Sequence, residues 1–316
     1  MADINFILKK GFDDVKKNPI MALPFIILGL IEFILVTLFG VYFTISFFEK
    51  SGIMTSMMEN PELYIDPDYI LNMFGNIPSG TITMFFVLGL VILVVVVLAT
   101  AFLRAGLIGM SKEAILSGKT NFSDMMRYGK KYFLKELGLS VLIYLILFIP
   151  SILIGIIGGA AAVYASVAST SIIFMLLMIL YFVYLIICAF LFYFAEYALI
   201  YDDFGIIDSL KRSYHIFTEN KSAVVIFVLV MLIVYFVVSL LMWLLGIILA
   251  FIPMVGILLY GIIELVVSAF ILALVAAWSG RKYIDLKIMD RLEDGVTRPV
   301  IVEETIYETY SDGKED

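Results

Sequence analysis

Six uninterrupted apolar runs, at residues 20–48, 81–103, 137–165, 172–200, 223–250 and 255–277, constrain this chain more than anything else in it. Each reaches or exceeds the roughly 20 residues that a helix needs to cross a hydrocarbon core of about 30 Å. They lack the apolar-polar alternation and the roughly ten-residue length of membrane barrel strands. The expected fold class is therefore an all-α polytopic membrane protein with six transmembrane helices arranged as three hairpins. The composition agrees, with 63% apolar residues and a mean hydropathy of +1.07.

Basic residues fix the expected direction of the spans, because cytoplasmic segments collect Lys and Arg. Of the 21 basic residues, all but Lys50 fall before the first run, between the second and third, between the fourth and fifth, or after the sixth. Both termini are thus expected in the cytoplasm and the protein in the cell (plasma) membrane. The leading residues mix Asp3, Asp13 and Asp14 with four lysines, and the run after them is longer than a signal-peptide core, so the first span is expected to stay as an anchor. The expected organisation is a cytoplasmic amphipathic helix at 1–19, a six-span domain at 20–280 and an acidic cytoplasmic tail at 281–316. Within the six-span domain lie an outer loop at 49–80 and cytoplasmic loops at 104–136 and 201–222.

Three segments that lead into spans one, three and five align without gaps: residues 8–18, 126–136 and 210–220. Each carries an apolar residue, a base, any residue and then a small one, at Gly11, Gly129 and Ser213. Leu8, Phe12 and Val15, or Leu210, Tyr214 and Phe217, recur at helical spacing with bases on other faces. That pattern predicts a short interfacial helix before each hairpin, a pseudo-threefold repeat, with Lys9, Lys10, Arg127, Lys130, Lys131, Lys211 and Arg212 meeting anionic lipid headgroups. The alternative is that these are only the solvated entrances of membrane helices.

Residues 197–214 (YALIYDDFGIIDSLKRSY) and 106–124 (GLIGMSKEAILSGKTNFSD), each placed between two spans, resemble the prokaryotic and archaeal membrane-domain family named after the membrane portion of glycerophosphoryl diester phosphodiesterases. The resemblance implies a six-span membrane module. In that family the module can accompany a catalytic phosphodiesterase domain, and no segment of this chain reads as one.

Ionisable residues inside apolar runs are functional candidates because burying a charge in hydrocarbon is costly. At 1.5 Å per residue, Glu32 lies about 18 Å into its run and Glu264 about 15 Å into the last one, both near mid-depth. They could carry a proton, bind a cationic solute, or serve as polar glue between helices. Arg104 and Glu196 fall near the cytoplasmic ends of their runs, where they are expected to snorkel or to pair. Gly155 and Gly159 have the spacing of a close helix contact, and Pro150 is expected to kink its helix.

No catalytic constellation is legible. One Cys and one His exclude a disulfide framework, a four-ligand zinc site and a His-Glu-x-x-His protease helix. His215 reads as an interfacial contact and Cys188 as packing. No phosphate-cradling loop, metal site or cofactor motif occurs, and a net charge of -7 without a long basic face argues against nucleic acid. The expected partners are membrane lipids and, through the strand-prone acidic tail, a protein. The chain is therefore expected to be a non-enzymatic multi-pass protein handling a lipid or small amphipathic solute, as a transport component or accessory; the alternative is a membrane scaffold acting through its surface helices and tail.

Overall fold

The structure, a computed structural model, describes residues 3–51, 79–164, 167–252 and 255–293. Every described element is helical: α1 Ile4–Lys17, a 3-10 turn Pro19–Ala22, α2 Leu23–Ser51, α3 Ser79–Ser117, α4 Phe122–Tyr164, α5 Val167–Phe192, α6 Ala195–Tyr201, α7 Ile206–Glu219, α8 Lys221–Ala250 and α9 Val255–Glu293. Six helices are long and apolar enough to cross a membrane: Pro19–Ser46, Ser79–Ser117, Phe122–Ala160, Ser171–Tyr201, Lys221–Ala250 and Val255–Ile288. The outer loop expected at 49–80 and the end of the tail fall almost wholly outside the described residues.

The chain divides into two units, one of residues 1–25 with 101–316 and one of residues 26–100. The smaller unit is a pair of apolar helical stretches in which Phe85 meets Phe43 at 4.7 Å and Tyr42 at 5.9 Å between ring centroids. Tyr42 also donates to the Met84 sulfur at 3.0 Å.

The larger unit has its buried core where its helices adjoin the short connections at 118–121 and 202–205, not along the apolar shafts. The most apolar stretch of each candidate span is at most 22% buried, as expected of surfaces that meet lipid. The core is aromatic. Phe194 lies 5.0 Å from Tyr193, 6.0 Å from Tyr283 and 6.3 Å from Phe227 between centroids. The hydroxyls that this packing buries find partners: Tyr201 with Ser111 at 2.8 Å, Tyr193 with Ser279 at 2.9 Å, and Tyr283 donating to Asp202 at 2.6 Å.

The three small residues of the aligned segments are all buried. A methyl group added to Gly11 would lie 2.4 Å from Trp278 on α9, and one added to Gly129 would lie 2.9 Å from the Phe102 ring on α3. The Ser213 hydroxyl donates to the Leu191 carbonyl at 2.7 Å and accepts the Phe194 N–H at 3.1 Å, bonding the end of α5. Gly109 sits against Tyr128 and Gly280 against Tyr201, each with room for hydrogen alone. Small residues here let helix axes approach far closer than a side chain would allow.

The structure corrects the expectation of a separate surface helix before every hairpin. The first and third segments are distinct 14-residue helices ended at Asn18 and Asn220, but the second is the opening of α4, which runs unbroken for 43 residues. Pro19 follows Asn18 and forbids a continuing helix, whereas no proline interrupts 126–142. Within the segment 104–136 both helices run on, and the turn between them is confined to 118–121, with Gly118 at φ 74°. Asn121 and Asp124 cap the start of α4 reciprocally, each side chain accepting the other's backbone N–H at 3.0–3.1 Å. At the other end of the chain α9 continues to Glu293, into the segment read as the tail.

Two further features of α4 stand out in the sequence. Methyl groups on Gly155 and Gly159 would meet nothing within 4 Å, so that spacing makes no close contact among the described residues. Pro150 is accommodated inside α4 by a side chain from the neighbouring helix. Proline has no N–H for the Ile146 carbonyl one turn back, and Tyr184 of α5 donates to that carbonyl instead at 2.8 Å.

Gly109→Ala is expected to lower stability in detergent by about 1–3 kcal/mol through overpacking, while Gly155→Ala is neutral or gains up to about 1 kcal/mol from helix propensity; thermal unfolding by circular dichroism reads both. Tyr184→Phe is expected to cost about 1 kcal/mol, and this cost shrinks in a Pro150→Ala background, where the Ile146 carbonyl regains a backbone donor. Equal costs in the two backgrounds would show that the tyrosine does not serve the proline.

Candidate functional site

Two kinds of polar cluster occur in the larger unit, and they differ in what they leave over. The first kind ties helices together and is fully partnered. Arg281 of α9 holds Asp14 of α1 through two bonds of 2.5 and 2.7 Å. Lys282 bonds Asp285 at 2.8 Å with both side chains buried, and Lys287 pairs with Asp202. Trp278 donates to the Leu8 carbonyl at 2.8 Å, and Asn18 bridges α1 to the 118–121 turn by donating to the Gly118 carbonyl and accepting the Thr120 N–H. Lys112 closes the C-terminus of α6 by donating to the carbonyls of Ile200 and Tyr201. Asp203, in the left-handed region at φ 56°, accepts from Lys131 and Lys135 at 3.0 Å each. Those two ammonium donors hold its carboxyl down at about 2.

These partnerships account for the segments that carry the family resemblance. In 197–214, Asp202, Asp203, Ser209 and Ser213 all bond backbone or side chains of neighbouring elements. In 106–124, Ser111, Lys112 and Glu113 do the same, with Glu113 accepting from Arg127 and Tyr128 at 2.8 and 2.7 Å, and Gly109 packs against Tyr128. Both segments build the packed core.

The second kind of cluster borders a cavity of about 420 Å³ between α3, α4, α5, α6 and α9, a size suited to a small amphipathic ligand. Leu107, Ile108, Ile143, Leu147, Leu185, Leu272 and Val275 make apolar walls, Phe25, Tyr144, Phe192, Tyr193 and Tyr197 add aromatic faces, and Cys188 also lines it. Its polar margin is Arg104, Ser140 and Glu196. The expected Arg104–Glu196 pair is formed, with Nε 2.9 Å from Oε2 and side-chain exposures of 43% and 17%. Glu136 stands behind it with no exposed surface. It interacts electrostatically with both Glu196 and Arg104, and neither of its oxygens has a hydrogen bond of ordinary geometry among the described residues. Ser140, one turn along α4, makes a looser contact with Glu136 and lines the cavity.

The other sequence candidates lie elsewhere. Glu264 is exposed on α9 and Glu32 is half-buried on α2; neither lines the cavity. Arg127 is committed to Glu113 and Asp124, Lys131 to Asp203, and Lys211 lies 4.0 Å from Asp208. Lys10 sits over the Phe6 ring, Arg212 is half-buried, and Lys9 and Lys130 are exposed. His215 is exposed with Nδ1 3.8 Å from Glu219. Among the described residues no group of three His, Cys, Asp or Glu could hold a metal ion.

Sequence reasoning missed Glu136 because it closes an aligned segment of lysines and aromatics and counts there as a loop residue. Its one signal is that it abuts the apolar run beginning at residue 137.

Residues 3–286 match the family described as domain of unknown function DUF7847. The chain belongs to that family. The match takes in the packed core, the cavity and all six candidate spans. No curated protein and no solved structure matches.

Arg104→Met would leave Glu196 and Glu136 without their cation, an arrangement expected to cost about 1–3 kcal/mol after allowing for the partial exposure of the guanidinium. Adding Glu196→Gln should recover most of that loss in thermal unfolding; no recovery would mean that the arginine acts through packing alone.

Proposed function

We propose that this DUF7847 protein is a non-enzymatic, six-span protein of the cell membrane whose cavity takes up a lipid or small amphipathic solute, as a transport component or an accessory to one. The observation that carries the reading is the cavity itself, with apolar and aromatic walls ending in a charged margin. A soluble polar metabolite would waste those walls, and a purely apolar one would leave the charges without a role.

The proposed orientation puts both termini and the packed core at the cytoplasmic face, on the strength of the basic-residue asymmetry. α1 and α7 then rest at the headgroup level. Their small faces turn inward against α9 and α5, while Phe12 and Tyr214, which occupy the same position of the aligned segments, stay 53% and 54% exposed and enter the interface, with Lys9 beside them. This is the pseudo-threefold element of the reading: each aligned segment is docked by its small residue on the end of another span, with the first segment closing on the last span. The scaffold alternative rests on the surface helices and on the tail at 281–316, of which 294–316 lie outside the described residues.

Ala189 lines the cavity, so Ala189→Trp should fill part of it without touching a charge. Native mass spectrometry of the gently solubilised chain is expected to show a co-purifying lipid or amphiphile on the parent and its loss from Ala189→Trp. Equal retention by both, with both folded, would sink the proposal.

A further inference from the structure

We infer that the cavity selects amphiphiles bearing an ammonium group over anionic ones, a deepening that rests on the proposed cavity function. Three side chains set the electrostatics of its margin: one guanidinium, Arg104, and two carboxyl groups, Glu196 and Glu136. Arg104 is already bonded to Glu196 at 2.9 Å, so an incoming anionic headgroup must compete with a carboxylate in place and approach a second one. An ammonium brings a second positive charge to two carboxyl groups that share one guanidinium. Glu136 is fully buried, and neither of its oxygens has a hydrogen bond of ordinary geometry among the described residues; Ser140, which contacts it more loosely, also lines the cavity.

The walls point the same way. Tyr144, Tyr193 and Tyr197 line the cavity and interact with Arg104 or Glu196, and aromatic rings attract alkylammonium groups most strongly where water is excluded. Aliphatic walls alone would serve any acyl chain. Aromatic rings beside two carboxyl groups that share one guanidinium favour a chain that ends in a cation. The ammonium could belong to a membrane lipid headgroup such as phosphoethanolamine or to a free amphiphilic amine, and both present the same chemistry to the site.

The test uses the full chain in neutral detergent, with dodecyltrimethylammonium, dioleoyl phosphatidylethanolamine and dioleoyl phosphatidylglycerol as probes and native mass spectrometry as the readout. The two ammonium probes are expected to bind at least tenfold more tightly than phosphatidylglycerol and to lose about tenfold in Glu136→Gln. Should Glu136→Gln fail to fold, Tyr144→Leu serves instead, because it removes an aromatic face and no charge; it should weaken dodecyltrimethylammonium at least threefold and leave phosphatidylglycerol unchanged. Displacement of bound phosphatidylethanolamine by dodecyltrimethylammonium assigns the site to free amphiphilic cations, and retention against a hundredfold excess assigns it to the lipid headgroup. Phosphatidylglycerol binding as tightly as the ammonium probes, or ammonium binding indifferent to both variants, overturns the inference. If all three probes bind alike yet Ala189→Trp removes them, the charge selectivity falls and the cavity function stands; if no probe binds the parent, both fall.

Discussion

Close approach of helices at positions too small to hold a side chain is the constraint on which the larger unit depends. Gly11 against Trp278, Gly109 against Tyr128, Gly129 against Phe102 and Gly280 against Tyr201 each leave space for hydrogen alone. Lipid offers apolar side chains as good an environment as another helix does, so burial of apolar surface cannot by itself hold membrane helices together. Tight packing, hydrogen bonds and ion pairs must do it, and they are concentrated where the helices leave the apolar shafts. The Arg281–Asp14 and Lys287–Asp202 pairs stand one or two helical turns from those contacts.

That division of labour explains the cavity. Helices locked at one end and sparsely packed along their shafts leave space between them just beyond the lock. The aromatic residues that complete the core, Tyr193 and Tyr197, also form part of the cavity wall. The Arg104–Glu196 pair lies at this border, and Glu136 lies behind it. A charge cluster with one carboxyl group left over is a poor device for stability, which is why it reads as belonging to a ligand rather than to the scaffold.

Much of the architecture was legible beforehand because hydrocarbon permits so few solutions: a long apolar run must satisfy its own backbone bonds and so must be helical. The alignment of Gly11, Gly129 and Ser213 also pointed at positions that prove buried, although their faces are turned to other helices and not to lipid. Pattern could not show that the second segment is continuous with α4, since an amphipathic helix and the opening of a long one have the same periodicity. Nor could it rank the acidic residues. Glu264, at mid-depth in its run, is exposed, and Glu136, outside every run, is fully buried.

What the residues determine alone, then, is the number of helices long and apolar enough to cross a membrane and the asymmetry of basic charge, because the first follows from local chemistry repeated over twenty residues or more and the second from a count along the chain. Only the tertiary structure decides which carboxyl group is buried with no hydrogen bond of ordinary geometry among the described residues, which carbonyl Tyr184 reaches to relieve Pro150, and where a cavity opens. Each of these depends on side chains brought together from separate helices, and helical periodicity specifies a face without specifying what that face meets.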